Sequence, residues 1–176
     1  MLADALNMAL DDEYRARATY QSVLNQFGPV FPFVNIVQSE QRHITALLPL
    51  FQRYGLAPVP DRWSGQAFPF NSVVEACEAG IAAEISNYQM YDRFLEQIAE
   101  PDVRFVFSNL RNASAYHHLP AFRYCAGQGD NTIDIPPPIT MDGGDKSTIP
   151  WAAVAGVIAG TALVWWWIRR PQIPDA

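Results

Sequence analysis

Residues 33–54, FVNIVQSEQRHITALLPLFQRY, carry the pattern that most restricts what this chain can become. Phe33, Ile36, Glu40, His43, Leu47, Leu50 and Tyr54 recur at steps of three and four, the spacing that aligns side chains on one stripe of an α-helix. The stripe is apolar except at Glu40 and His43, so a helix built this way carries a carboxylate and an imidazole towards its core. Burying an ionised carboxylate is costly unless a cation or a proton compensates it. A metal ion would do so, and Glu-x-x-His on a helix of a four-helix bundle is a donor pair of di-iron and di-manganese carboxylate proteins. Taken alone, so short a motif reads more plainly as a salt-bridged glutamate beside a hydrogen-bonded core histidine.

The flanking segments repeat the pattern. A first helix is expected from about Ala3 to Phe27, with Leu6, Ala9, Glu13, Ala16, Tyr20, Leu24 and Phe27 on one face and Gly28-Pro29 ending it. Glu13 is the sole charge on that face. The short loop that follows makes the first two helices an antiparallel hairpin, Gly55 caps the second, and Pro49 is expected to kink its last turns. Residues 56–70 have Pro58, Pro60, Gly65 and Pro69 and no helical period, which reads as a long crossover. Ser72 and Glu75 then form a capping box for a third helix, whose inward set is Val74, Cys77, Ile81, Glu84, Tyr88, Tyr91, Leu95 and Ile98. Glu84 is again the single charge. Pro101-Asp102 joins it to a fourth helix that continues to about Tyr124.

Set side by side, the two halves match. Tyr20 follows Glu13 by seven residues and Tyr91 follows Glu84 by seven, while His43-Ile44-Thr45-Ala46-Leu47 is echoed by His118-Leu119-Pro120-Ala121-Phe122. This is the plan of a dimetal bundle, with one Glu from each of two helices and Glu-x-x-His from each of the others. The plan fails at one place. If His118 is the counterpart of His43, Ala115 stands where a carboxylate belongs; the apolar stripe Val103, Phe107, Leu110, Ser114, His117, Ala121 and Tyr124 instead makes His117 inward and Ser114 the vacancy. One extra residue bulged as a π-turn near His117 reconciles the two registers, and Pro120 favours irregularity there. The candidate metal ligands are therefore Glu13, Glu40, His43, Glu84 and His117 or His118. Glu13, Glu40 and His43 complete one position; a second would rest on Glu84, one histidine and water. Tyr20, Tyr88 and Tyr91 can hydrogen-bond ligands, although tyrosine at core spacing more plainly packs. Asp11, Asp12, Arg15 and Arg17 read as a solvated face or as partners of Glu13.

A chain of 176 residues that is 49% hydrophobic has room for one domain with a substantial core. Its formal charge of −6 leaves no basic stripe for nucleic acid. Cys77 and Cys125 do not amount to a disulfide framework. Residues 125–148, with Pro136-Pro137-Pro138, read as a linker. Residues 149–168 carry no charge, are flanked by tryptophans and are followed by Arg169 and Arg170, which reads as a transmembrane helix ahead of a short tail, residues 169–176. Ala152, Gly156 and Gly160 give it a small-residue face for a partner helix in the lipid. The expected location is a bacterial inner membrane, single pass, with the tail cytoplasmic and the bundle periplasmic by the positive-inside rule, although no signal peptide is visible.

Residues 1–124 resemble the ferritin-like superfamily that includes bacterioferritin and rubrerythrin. In detail DDEYRARATYQSVLNQFGPVFPFVNI, EQRHITALLPLFQRYGLAPVP and HHLPAF look like a bacterial and archaeal ferritin-like domain family of undefined function. The resemblance implies an all-α four-helix bundle, an iron or manganese site on the residues above, and Fe(II) oxidation or reaction with oxygen or peroxide. The absent glutamate at 114 or 115 favours the alternative expectation: a non-catalytic accessory subunit docked on a larger membrane complex, photosynthetic or respiratory.

Overall fold

The computed structural model describes residues 1–128 and 136–140. Their regular secondary structure is helical: α1 (Leu2–Phe27), α2 (Phe33–Arg53), α3 (Val73–Gln97), α4 (Pro101–Ala113) and α5 (Leu119–Cys125), with Ser114–His118 wound as a π-turn between the last two. α1 packs along α2, and α3 along the continuous rod made by α4, the π-turn and α5; contacts of α1 with α3 and of α2 with α4 close the bundle.

Local chemistry sets the helix ends. Gly28 leaves α1 at φ 82°, a left-handed conformation that a glycine adopts without a Cβ penalty, and its N–H donates to the Leu24 carbonyl. Ser72 caps α3 by accepting from the Glu75 N–H at 3.1 Å, while the Glu75 carboxylate accepts from the Asn71 N–H instead of the Ser72 N–H that a standard capping box uses. The long crossover between α2 and α3 is fastened to one side of α1. Asn7 accepts from the Val59 N–H, Asp11 accepts from the Arg62 guanidinium and the Trp63 indole, Ser22 hydrogen-bonds the backbone of Phe68, and Gln26 that of Phe70. Arg17 pairs with Asp61. Asp11 and Arg17, expected on a solvated face or beside Glu13, thus hold the crossover.

The core falls into two main apolar clusters separated along the bundle. One gathers Leu6, Leu10, Leu47, Phe51, Tyr91, Phe107 and Leu110; the other gathers Tyr20, Val23, Phe33, Ile36, Cys77 and Phe122. Each fully buried Leu or Phe contributes about 1.5–3 kcal/mol. On every rod the ionisable residues lie between the two sets: Glu13 after Leu10 and before Tyr20, Glu40 and His43 after Ile36 and before Leu47, Glu84 after Cys77 and before Tyr91, His118 after Leu110 and before Phe122. A polar layer across mid-bundle is the result.

Beside that layer α3 and α5 approach closely. A Cβ on Gly80 would stand 2.8 Å from the Phe122 ring, which is itself packed against Tyr20 and Phe33 and has nowhere to go. Gly80→Ala should therefore cost about 1–3 kcal/mol of overpacking, read as a lowered urea midpoint. The same two helices are joined by a disulfide between Cys77 and Cys125, 48 residues apart, so two cysteines too few for a disulfide framework still form one cross-link. Closing a loop of that length stabilises by about 4 kcal/mol on chain-entropy grounds. On the opposite side, residues 136–140 lie against α4. Arg111, buried and paired with Asp92 at 2.9 Å, donates to the carbonyls of Pro136 and Pro137, and Asn112 exchanges two hydrogen bonds with the backbone of Ile139.

Two expectations are corrected here. Among the described residues no helix is long and apolar enough to cross a membrane. Charged side chains interrupt the long described helices, as Glu78, Arg93 and Glu96 do on the exposed side of α3. Among the described residues the fold is accordingly an all-helical bundle with no membrane-crossing helix, and the expected single-pass inner-membrane placement with a periplasmic bundle finds no support in them. The span expected at residues 149–168, with Ala152, Gly156 and Gly160, lies outside the described residues.

Candidate metal centre

The polar layer contains Glu13, Glu40, His43, Glu84 and His118, each at most 4% exposed. His43 Nδ1 lies 3.0 Å from Glu13 Oε2 and 2.9 Å from Glu40 Oε2. His118 Nδ1 lies 3.1 Å from Glu40 Oε1 and 3.4 Å from Glu84 Oε2. The two imidazoles stack with centroids 5.4 Å apart. Glu40 therefore turns one oxygen to each histidine, and the donors form two groups that can each hold a metal ion, Glu13–Glu40–His43 and Glu40–Glu84–His118, with Glu40 common to both.

The outer carboxylates are held crosswise. Tyr20 on α1 donates to Glu84 on α3 at 2.7 Å, and Tyr91 on α3 donates to Glu13 on α1 at 2.7 Å. The seven-residue Glu-to-Tyr spacing repeated on the two helices is what makes this exchange reciprocal. Ser39 Oγ lies 3.3 Å from His43 Nε2. An Nε2–H that donates to Ser39 leaves Nδ1 as the metal-facing nitrogen, the kind of outer hydrogen bond that fixes a ligand tautomer. Farther out, Ser114 donates to Asn87 and Asn87 donates to Asp12, which also pairs with Arg15.

Within the polar layer two buried atoms lack a hydrogen bond, Glu40 Oε1 and His118 Nδ1. They stand 3.1 Å apart without the alignment of a hydrogen bond, both directed at the same small space. A buried acceptor left unsatisfied costs about 1–3 kcal/mol. Two ligand-type atoms converging without bonding each other fit a cation between Glu40, Glu84 and His118. The donor set is carboxylate oxygen with imidazole nitrogen, the kind that can hold a metal ion.

Without a cation, protons do the compensating. Burial pushes Glu13 up to about 7 against the pull of His43. Burial also opposes ionisation of Glu40, but His118 and His43 outweigh it and hold its carboxyl down at about 2. Burial alone would depress both imidazoles; Glu13 and Glu40 instead raise His43 to about 9, and Glu40 and Glu84 raise His118 to about 10. Tyr20 and Tyr91, buried against Glu84 and Glu13, are held far above the usual phenol range.

Of the two histidines left open by the sequence, the structure brings His118 to the cluster and leaves His117 exposed, its pKa lowered by partial burial and by His118. The cause is the π-turn. Val103, Phe107, Leu110 and Ser114 keep the expected stripe, then one residue is absorbed and the buried positions move to His118 and Phe122, leaving Tyr124 exposed at 85%. Ser114 and Ala115 are both buried and neither is a carboxylate, so the fourth glutamate of the symmetric plan has no substitute in either register. Ser39 and Asn87 escaped sequence reasoning. Ser39 stands four residues before His43, a spacing that places it on the same helix face; Asn87, three after Glu84, carried the same signal.

The fold and the cluster define a class: a helical-bundle protein with buried carboxylate and histidine groups able to hold metal. The chain belongs to the family described as "Uncharacterized protein domain (DUF2202)", which matches residues 3–130. It is similar in structure to the "hypothetical protein MJ0754" from Methanococcus jannaschii DSM 2661, with 22% identity and a TM-score of 0.65 over 78% of this chain and 86% of that one. At that identity the likeness bears on the fold alone. No curated protein matches the chain.

Proposed function

We propose that residues 1–124 form a ferritin-like unit that holds iron or manganese at two adjacent positions and uses them to oxidise Fe(II), with dioxygen or peroxide accepting the electrons. The observation that carries this reading is Glu40, a buried carboxylate whose two oxygens serve two separate carboxylate–histidine groups. Bound there, redox-active ions would supply the electron-transfer chemistry that side chains lack. The protein's own part is positional. Tyr20 and Tyr91 hold Glu84 and Glu13, Ser39 orients His43, and the apolar clusters keep water from reaching the layer along the bundle axis, which strengthens the electrostatic interactions within it.

Anaerobic titration with Fe(II) or Mn(II), followed by metal analysis, tests the reading. Two ions per chain are expected, one for each donor group. A chain that retains none ends it. The neutral pair Ser114 and Ala115 favours a second reading, a bundle that keeps metal for structure and performs no chemistry. Stoichiometric binding without faster Fe(II) oxidation or peroxide consumption is its signature.

A further inference from the structure

A cleft runs between α1 and α3 from solvent to the carboxylate layer. Glu40 and Glu84 form its floor, Thr19 and Ala83 stand on opposite walls, and Asp12 and Arg15 flank the mouth. Its volume is about 70 Å³, which at about 30 Å³ per water is room for two water molecules. An organic substrate does not fit; a partly hydrated cation does. At the floor, Glu40 Oε1 is buried and without a hydrogen bond, with His118 Nδ1 3.1 Å away.

The mouth offers a first resting place. Asp12 Oδ2 accepts from Asn87 at 2.8 Å, and Asn87 in turn accepts from Ser114 at 2.7 Å, so the carboxylate is tethered to the opposite helix and the π-turn. Its other oxygen pairs with Arg15 at 2.6 Å, a side chain 48% exposed at the solvent side of the cleft. Along the bundle axis the layer is instead bounded by aliphatic and aromatic side chains, which cannot solvate a charge in transit. We propose that this cleft is the port through which a divalent cation reaches the centre, with Asp12 as the carboxylate that receives it from water. The inference rests on the metal-site reading above.

Stopped-flow mixing of the full chain with cobalt(II), read by quenching of intrinsic fluorescence, tests it. Ala83→Leu narrows one wall and Thr19→Leu the other; each should slow cobalt uptake at least about tenfold, and Asp12→Asn about tenfold, as loss of a steering charge does. Release into chelator should slow with uptake in the two leucine variants, so that equilibrium affinity stays within about twofold. A wild-type chain that takes up no cobalt would sink the metal-site reading itself. Binding with uptake equally fast in the variants overturns the port alone, as does weaker affinity arising only from faster release. If Ala83→Leu loses its helical fold, Thr19→Leu on the other wall decides.

Discussion

Replacing Glu40 with glutamine should abolish both metal positions at once, whereas replacing Glu13 or Glu84 should disable one and leave its neighbour. The asymmetry follows from geometry: Glu40 faces His43 through one oxygen and His118 through the other, while Glu13 and Glu84 each serve a single group. Loss of a direct ligand exceeds the 10- to 100-fold that outer-shell changes cost, so affinity at both positions should fall by more than about 100-fold. The same change acts on the metal-free protein. Glu40 acts on both histidines, alongside Glu13 at His43 and with Glu84 at His118, and breaking a buried ion pair by removing one partner costs about 3–5 kcal/mol. Metal analysis and urea denaturation of Glu40→Gln, Glu13→Gln and Glu84→Gln side by side separate the two effects.

The second large effect is a reversal of pH dependence by metal. In the metal-free protein His43 and His118 are raised to about 9 and about 10 from 6.5. A raised pKa contributes stability that is complete below the unfolded value and disappears as pH climbs through the folded one. Glu13, raised from 4.5 to about 7, behaves in the same sense: its contribution is full below 4.5 and gone above 7. Glu40, lowered to about 2, contributes above 4.5 and is lost only as pH falls towards 2. Stability without metal should therefore be greatest in mild acid and decline from neutrality to pH 10. A divalent cation must displace those protons, so its apparent affinity should rise roughly tenfold per pH unit for each proton released. Thermal unfolding across pH 5–10, with and without Mn(II), should give opposite slopes above neutrality.

How far the molecule was legible in its sequence depended on whether periodicity carried the information. Phe33, Ile36, Glu40, His43, Leu47 and Leu50 are all buried as their spacing requires, and so are Glu13, Tyr20, Glu84 and Tyr91, because three-and-four spacing reports helix faces directly. On α3 Ile81 is only partly buried, and the outright exception is Val74. It lies in the first turn, near a helix end where little packs against it, and is 49% exposed. The π-turn announced itself as a conflict between two registers, and the structure resolves it by absorbing one residue ahead of Pro120.

Contacts between distant segments left no such trace. The Cys77–Cys125 disulfide, the close approach at Gly80 and the fastening of the crossover to Asn7, Asp11, Ser22 and Gln26 all depend on which surfaces meet, which a helical period does not encode. Tyr20 and Tyr91 fall between these extremes. Their spacing placed them in the core, but only tertiary packing set each phenol on the carboxylate of the other helix.

Anomalous diffraction from crystals soaked in Mn(II) tests the central claim most directly. Two peaks on either side of Glu40 are predicted, one bounded by Glu13 and His43 and the other by Glu84 and His118. A polar layer that stays free of anomalous signal at saturating Mn(II), with ions only on surface carboxylates, would contradict it.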